Sequence, residues 1–301
     1  MNGKISNFEQ IASVRKYALK GGRGDGLNVV DCDNGKIRFL LNESKALDMM
    51  QMYYEGQNLS FLSKNAFTKK QLPFENRFEG GMIYTCGLDN IGRKQGFETH
   101  GTLHNITAEL VQTSCSEEGI TVEAIIRDTA LFGKNLVLKR RIFSAVGSAE
   151  VEIKDTLINE GFTVQNFCLL YHINVGYPML DEGGKIEAKV KEVGFSNEWA
   201  RENQNTMYDI EEPLSEKKET CYYLHLEEPK ISLINEKIKK KFTVEYSKET
   251  LPYFLEWKSM ASGDYALGLE PCTTEIRNLK YSEIKPNEKV EFLIKISVEK
   301  L

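Results

Sequence analysis

The sequence predicts an all-β fold, a sandwich or barrel, and three observations carry that expectation. From residue 118 onward the chain breaks into strand-length runs, ITVEAIIRDTA, NLVLKRRIFSA, AEVEIKDTLINEG and TVQNFCLLYHINV, several of which alternate apolar and polar residues. Short Gly, Asn or Ser punctuation separates these runs. Almost no stretch shows the 3.6-residue apolar period of an amphipathic helix.

Taken in order, residues 5–19 fit either a short helix or a strand that enters the fold. GGRGDG at 21–26 is a glycine-rich turn; it neither follows a strand nor opens a helix, so it is not a nucleotide-binding loop. LNVVDCD and KIRFLLN read as strands, and ALDMMQMYYEG as a helical turn. GGMIYTCGLDNIG and THGTLHNITAELV follow, then the four runs above. KIEAKVKEV, CYYLHLEE, ISLINEK, KKFTVEYS, YALGLEP and KVEFLIKISVEK complete the strands. The polar stretch 197–219 reads as an excursion across the sandwich mouth, and long loops of this kind are often functional. No repeat, linker or low-complexity segment interrupts the chain, so a single domain over 1–301 is expected.

Composition narrows the function. Acidic and basic residues are interspersed to a net charge of −5, and no basic patch interleaved with aromatics offers itself to nucleic acid. The densest basic run, KIKKK at 237–241, reads as a solvated strand edge or turn. No apolar stretch approaches the roughly 18 residues that span a bilayer, and the first 22 residues lack a secretion signal's apolar segment. The six cysteines are far apart and form no CxxC, so they read as small buried hydrophobes of a cytoplasmic protein.

The residues that carry chemistry are few. LLYHINVGYPML (169–180) is a buried-looking strand, yet His172 and Asn174 stand two apart in it and therefore share a face. Either that face is wet and functional, or the pair belongs to a satisfied core network. His100 and His104 lie in ETHGTLHN, four apart, and share a face in a strand or a helix. His225 has no motif around it and reads as structural or surface. HxxxH followed by Glu109 does not match the HxH-then-Glu pattern of a cupin-type site, so no metal is expected. Glu270 in YALGLEP is a charge that a core tolerates only when paired or at a solvent-lined site. Trp257-Lys258 in LPYFLEWK has the ring-plus-charge character of a sugar site; the alternative is a core Trp with a snorkelling Lys.

Together these segments resemble the aldose 1-epimerase (galactose mutarotase) superfamily. GGMIYTCGLDNIG, HGTLHN, LLYHINVGYPML, LPYFLEWK and LGLEP look most like its branch of aldose-epimerase-like proteins of unassigned function, the DUF4432 type. The resemblance runs from about residue 70 to 275 and implies an antiparallel β-supersandwich with an open cleft. It implies a catalytic set of His100, His172 and Glu270, the histidines being 172 − 100 = 72 residues apart. Glu270 would be the general base, His172 the acid in its imidazolium form, and His100 an orienting group. Arg77, Asn174, His104, Trp257, Lys258 and Asp209 would contact the sugar, with Arg77 and Lys258 available to hydroxyls or an anionic substituent. The implied reaction swaps sugar anomers by ring opening and needs no metal, cofactor or covalent intermediate. Isomerisation of another sugar or sugar acid on the same cleft, and a sugar-binding module without catalysis, are the other functions such a fold carries.

Overall fold

A computed structural model describes residues 3–301; Met1 and Asn2 of the expected 1–301 domain lie outside the described residues. A 3-10 turn at Phe8–Gln10 leads into a five-stranded antiparallel meander: β1 (Ser13–Ala18), β2 (Asn28–Asp33), β3 (Ile37–Asn42), β4 (Asp48–Tyr54) and β5 (Gln57–Asn58). Residues 5–19 thus hold both a turn and a strand. The GGRGDG run makes the β1–β2 turn, where Gly21, Gly22 and Gly26 take positive φ. The helical turn expected at ALDMMQMYYEG is corrected, because its centre is strand β4. Pairing with β3 buries Met49, Met52 and Tyr54, and that burial outweighs the weak helix preference of methionine.

The remaining strands are β6 (Ile83–Leu88), β7 (Glu109–Cys115), β8 (Gly119–Thr129), β9 (Asn135–Ala145), β10 (Glu150–Asn159), β11 (Gln165–Val175), β12 (Lys185–Phe195), β13 (Thr220–Asn235), β14 (Lys240–Tyr246), β15 (Tyr253–Ala261), β16 (Asp264–Cys272), β17 (Ser282–Ile284) and β18 (Lys289–Lys300). They form a 13-stranded sheet in the order β17-β11-β16-β15-β13-β14-β18-β10-β9-β8-β7, with β6 also paired to β11 and β12 to β13. CYYLHLEE and ISLINEK, read as two strands, are one. Pro229 is tolerated inside β13 because it falls between the segment paired with β15 (220–224) and the segment paired with β14 (230–235), where no ladder bond is lost. The α-helical turns among the described residues are α1 (Phe74–Arg77) and α2 (Glu198–Glu202). No helix among them is long and apolar enough to cross a membrane.

Residues of both sheets share one apolar core, from Phe39 and Met52 in the meander to Leu169, Ile173, Phe242 and Ile294 in the large sheet. Through that core runs a buried polar network centred on Arg140 of β9. All five of its N–H donors are used: Nε and Nη2 on the Asp155 carboxylate, Nη1 on Asp48 Oδ1 (2.6 Å) and Ala46 O, and Nη2 also on Thr85 Oγ1. Asp48 belongs to β4, Thr85 to β6, Asp155 to β10, and Tyr171 of β11 donates its hydroxyl to Asp155 (2.7 Å). One guanidinium therefore ties the meander to the large sheet. Arg140→Met would leave buried Asp155 without its cation and Asp48 with His104 alone, and urea denaturation should show a loss of about 3–5 kcal/mol. A loss within 1 kcal/mol would mean that the network is incidental to the fold.

Candidate active site

The parity of β11 builds the site. Its odd residues, Leu169, Tyr171, Ile173 and Val175, enter the main core. Its even residues, Cys168 and Leu170, join a smaller apolar cluster with Tyr84, Cys86, Leu255 and Cys272 on the other face. His172 continues that second face. The antiparallel register with β16, Leu170 opposite Cys272 and Ile173 opposite Leu269, places His172 directly across from Glu270. Cross-strand neighbours on one face are the closest side-chain pairs a sheet offers. Here His172 Nε2 stands 3.1 Å from Glu270 Oε1.

His100 reaches the same place from a loop. It takes a left-handed conformation (φ 63°), followed by Gly101 at φ 76°. Its backbone N–H donates to Gly92 O, and its Nδ1–H donates to Ile91 O at 2.9 Å. That bond leaves Nε2 with its lone pair. The His100 and His172 rings meet edge-on with centroids 5.6 Å apart. Both line a cleft of about 470 Å³ together with Glu270, Phe74, Phe78 and Trp257.

The pair is desolvated rather than satisfied. Glu270 Oε1 and His172 Nδ1 are buried and have no hydrogen-bond partner among the described residues; the 3.1 Å contact lacks hydrogen-bond alignment. Burial, with the Glu219 charge adding to it, pushes the Glu270 carboxyl well above the usual range. Burial and the neighbouring His100 hold His172 well below the usual imidazole value, and burial takes His100 down to about 4. Burial thus moves the carboxyl up and both imidazoles down, so all three shifts favour the uncharged forms and a proton on Glu270 rather than on His172.

Several expected contacts are corrected. Trp257 lines the cleft, but Lys258 cannot: adjacent strand residues face opposite sides. Lys258 is buried on the core side, where Nζ donates to Thr206 O (2.6 Å) and Asp209 O (2.7 Å). The 197–219 excursion therefore seats on the back of β15, with Ala200, Met207 and Ile210 in the main core, and only its end reaches the cleft. Asp209 lies at the surface, paired with Lys185. Arg77 is 1% exposed and is absent from the cleft lining; it donates to Tyr84 Oη (3.2 Å), Asn105 Oδ1 (3.0 Å) and Glu98. His104 is buried between Asp48 Oδ2 (2.6 Å) and Glu79 Oε1 (2.9 Å). Burial would lower His104, but the two carboxylates outweigh it and hold the imidazolium, so both nitrogens are spent. Asn174 shares the His172 face yet is fully buried, its Nδ2 donating to Gly81 O and His172 O. His225 is partly exposed, 3.6 Å from Glu275.

Three residues of the site were not singled out from the sequence. Gly268 faces Glu270 along β16: a Cβ there would stand 2.3 Å from Glu270 Oε1 and 3.2 Å from His172 Cε1. Its signal is a glycine two residues before the glutamate, on the same strand face. Glu219 lines the cleft and accepts from Trp257 Nε1 at 2.7 Å. Arg93, paired with Glu75, is the arginine that the cleft does contain. Groups of three or more His, Cys, Asp or Glu able to hold a metal do not occur among the described residues.

The buried Glu270 carries a stability cost with a definite sign. Its folded pKa lies above that of the unfolded chain, so the folded state holds a proton that the unfolded state loses above about pH 4.5, and stability falls as pH rises through that window. Glu270→Gln should raise Tm at pH 8 and leave it nearly unchanged at pH 4. A gap that does not grow with pH would contradict the raised carboxyl.

The comparisons with known proteins agree on the architecture. A crystal structure of a proposed aldose 1-epimerase from Klebsiella pneumoniae superposes with a TM-score of 0.86 at 18% identity, covering 95% of this chain and 83% of that one. A galactose mutarotase-like protein from Clostridium acetobutylicum superposes with a TM-score of 0.70 at 13% identity, covering 97% and 100%. At these identities the likeness is one of fold, the galactose mutarotase-like β-supersandwich. No curated protein matches the chain. The family model described as "Domain of unknown function (DUF4432)" matches residues 24–294, and the chain belongs to that family.

Proposed function

We propose that this protein exchanges the anomers of a sugar by acid–base ring opening, with the Glu270–His172 pair as its centre. The observation that supports this most is the pair itself: a carboxyl that burial pushes up and an imidazole that burial pushes down, 3.1 Å apart, each with an unpartnered buried atom, beside a cleft with an aromatic wall. Buried polar atoms without partners are rare, and sugar hydroxyls would supply the missing bonds.

Ring opening breaks the bond from C1 to the ring oxygen. The ring oxygen gains a proton while the anomeric hydroxyl loses one. Both oxygens are attached to C1, so neighbouring donor and acceptor groups serve them together. Glu270 gives its proton to the ring oxygen and the neutral His172 takes the anomeric proton. This reverses the roles expected from the sequence, because burial disfavours the imidazolium of His172 in the free protein. The open aldehyde then faces a carboxylate and an imidazolium in contact. Rotation about C1–C2 and reclosure return both protons and restore the starting pair. His100, fixed by Ile91 O, accepts a hydrogen bond from a sugar hydroxyl through Nε2. The Trp257 indole, held by Glu219, offers its face to the sugar's C–H surface.

Saturation-transfer NMR on anomerically pure aldoses tests this reading. Glu270→Gln and His172→Asn should each slow exchange by at least ~10²-fold with little change in sugar affinity, while His225→Asn leaves both untouched. A wild type that binds a sugar without speeding exchange for any aldose would make the cleft a binding module instead. Gly268→Ala probes the geometry separately. Its added methyl displaces the Glu270 carboxylate end, so exchange should fall about tenfold or more while Tm and the circular dichroism spectrum stay near wild type.

A further inference from the structure

A second basin adjoins the cleft. It measures about 490 Å³, against 470 Å³ for the first, and shares Phe74, Phe78, Glu219 and Trp257 with it. Either volume alone lies within the range that buries a small ligand. The shared residues form a sill rather than a barrier: Phe74 and Phe78 pack against one another at 5.1 Å, and Glu219 holds the Trp257 indole by its Nε1–H, with the His172 ring edge-on at 5.3 Å. Beyond the sill lie Phe61, Asn65, Ser259 and Ala261. An aromatic surface rimmed by amide and hydroxyl groups suits a pyranose ring.

The charges decide what kind of substituent fits. Every cation that lines either basin is already paired within the chain: Lys64 with Asp264 (2.7 Å), Lys217 with Glu211 (2.6 Å) and Arg93 with Glu75 (2.8 Å). Arg77 and Lys258, which the sequence offered for an anionic group, are buried elsewhere. Glu219 has no cation partner among the described residues and repels a phosphate or carboxylate at the sill. An anionic sugar would meet no free counter-charge, whereas a neutral ring would break no ion pair.

Building on the ring-opening reading, we propose that the substrate is a neutral reducing disaccharide: its reducing ring lies at Glu270 and His172, and its second ring, attached through a hydroxyl other than the anomeric one, crosses Trp257 into the basin of Phe61 and Ala261. The test compares anomer exchange of maltose, cellobiose, lactose, isomaltose and melibiose with that of glucose, galactose and glucose 6-phosphate. At least one disaccharide should exceed the monosaccharides in kcat/KM by about tenfold, the effect of one added ring contact, and glucose 6-phosphate should not exceed glucose. Ala261→Trp, which fills the second basin, should remove that advantage and leave monosaccharide exchange intact, which also shows that the variant folds. Should Ala261→Trp fail to fold, Ala261→Leu, which fills less of the same basin, serves instead, with a smaller loss confined to the disaccharide. If monosaccharides exchange and no disaccharide is faster, or if the phosphorylated sugar is preferred, the extended neutral substrate is overturned while the ring-opening reading stands. If no sugar exchanges, both fall.

Discussion

One buried guanidinium holds this architecture in register. Arg140 uses every N–H it has, and its partners come from three separate segments of the chain. Such a group is costly to bury and becomes tolerable only when all its bonds are made at once. The network therefore accepts one arrangement of β4, β6, β9 and β10. Tyr171 extends it to β11 through Asp155. His172 is the next residue and points the opposite way. The back of β11 is anchored by charge, and its front presents the histidine.

The front face follows a different electrostatic rule. Around Arg140, the cations outweigh burial at Asp48. For Asp48, burial would raise the carboxyl, yet the bond from His104 and the Arg140 charge hold it low. Glu270 has no such cation among the described residues, and burial pushes its carboxyl up. Two buried carboxyl groups in one protein are thus shifted in opposite directions, and the difference is whether a cation stands beside them. His104 and His172 show the same contrast among imidazoles: two carboxylates hold the first up, while burial holds the second down. This separation is what makes one pair structural and the other chemically poised.

Strand content was largely legible, because period-2 patterning and turn residues are local. The exceptions are instructive. DMMQMYY carries weak helix preferences, and only its pairing with β3 makes it a strand. CYYLHLEE and ISLINEK read as two strands and are one, since β13 changes partners around Pro229 rather than ending there. In the site, strand parity was available for Lys258 and excludes it from the face of Trp257. The fates of Arg77, His104 and Asp209 were not available in that way. Each is a polar residue near the right segments, and each found a partner within the chain: Glu98 and Asn105, two buried carboxylates, and Lys185.

What the sequence determined by itself was the all-β architecture and the short set of residues able to carry proton chemistry, because both depend on residue type and near-neighbour spacing. The tertiary structure alone decided which of those residues meet, and in what protonation state. His172 and Glu270 are 98 residues apart (270 − 172) and touch because β11 and β16 pair with one particular register. Gly268 leaves room for the carboxyl, and with no cation beside it among the described residues burial pushes that carboxyl up. Register, free space and desolvation are properties of packed neighbours, and no local pattern in the chain encodes them.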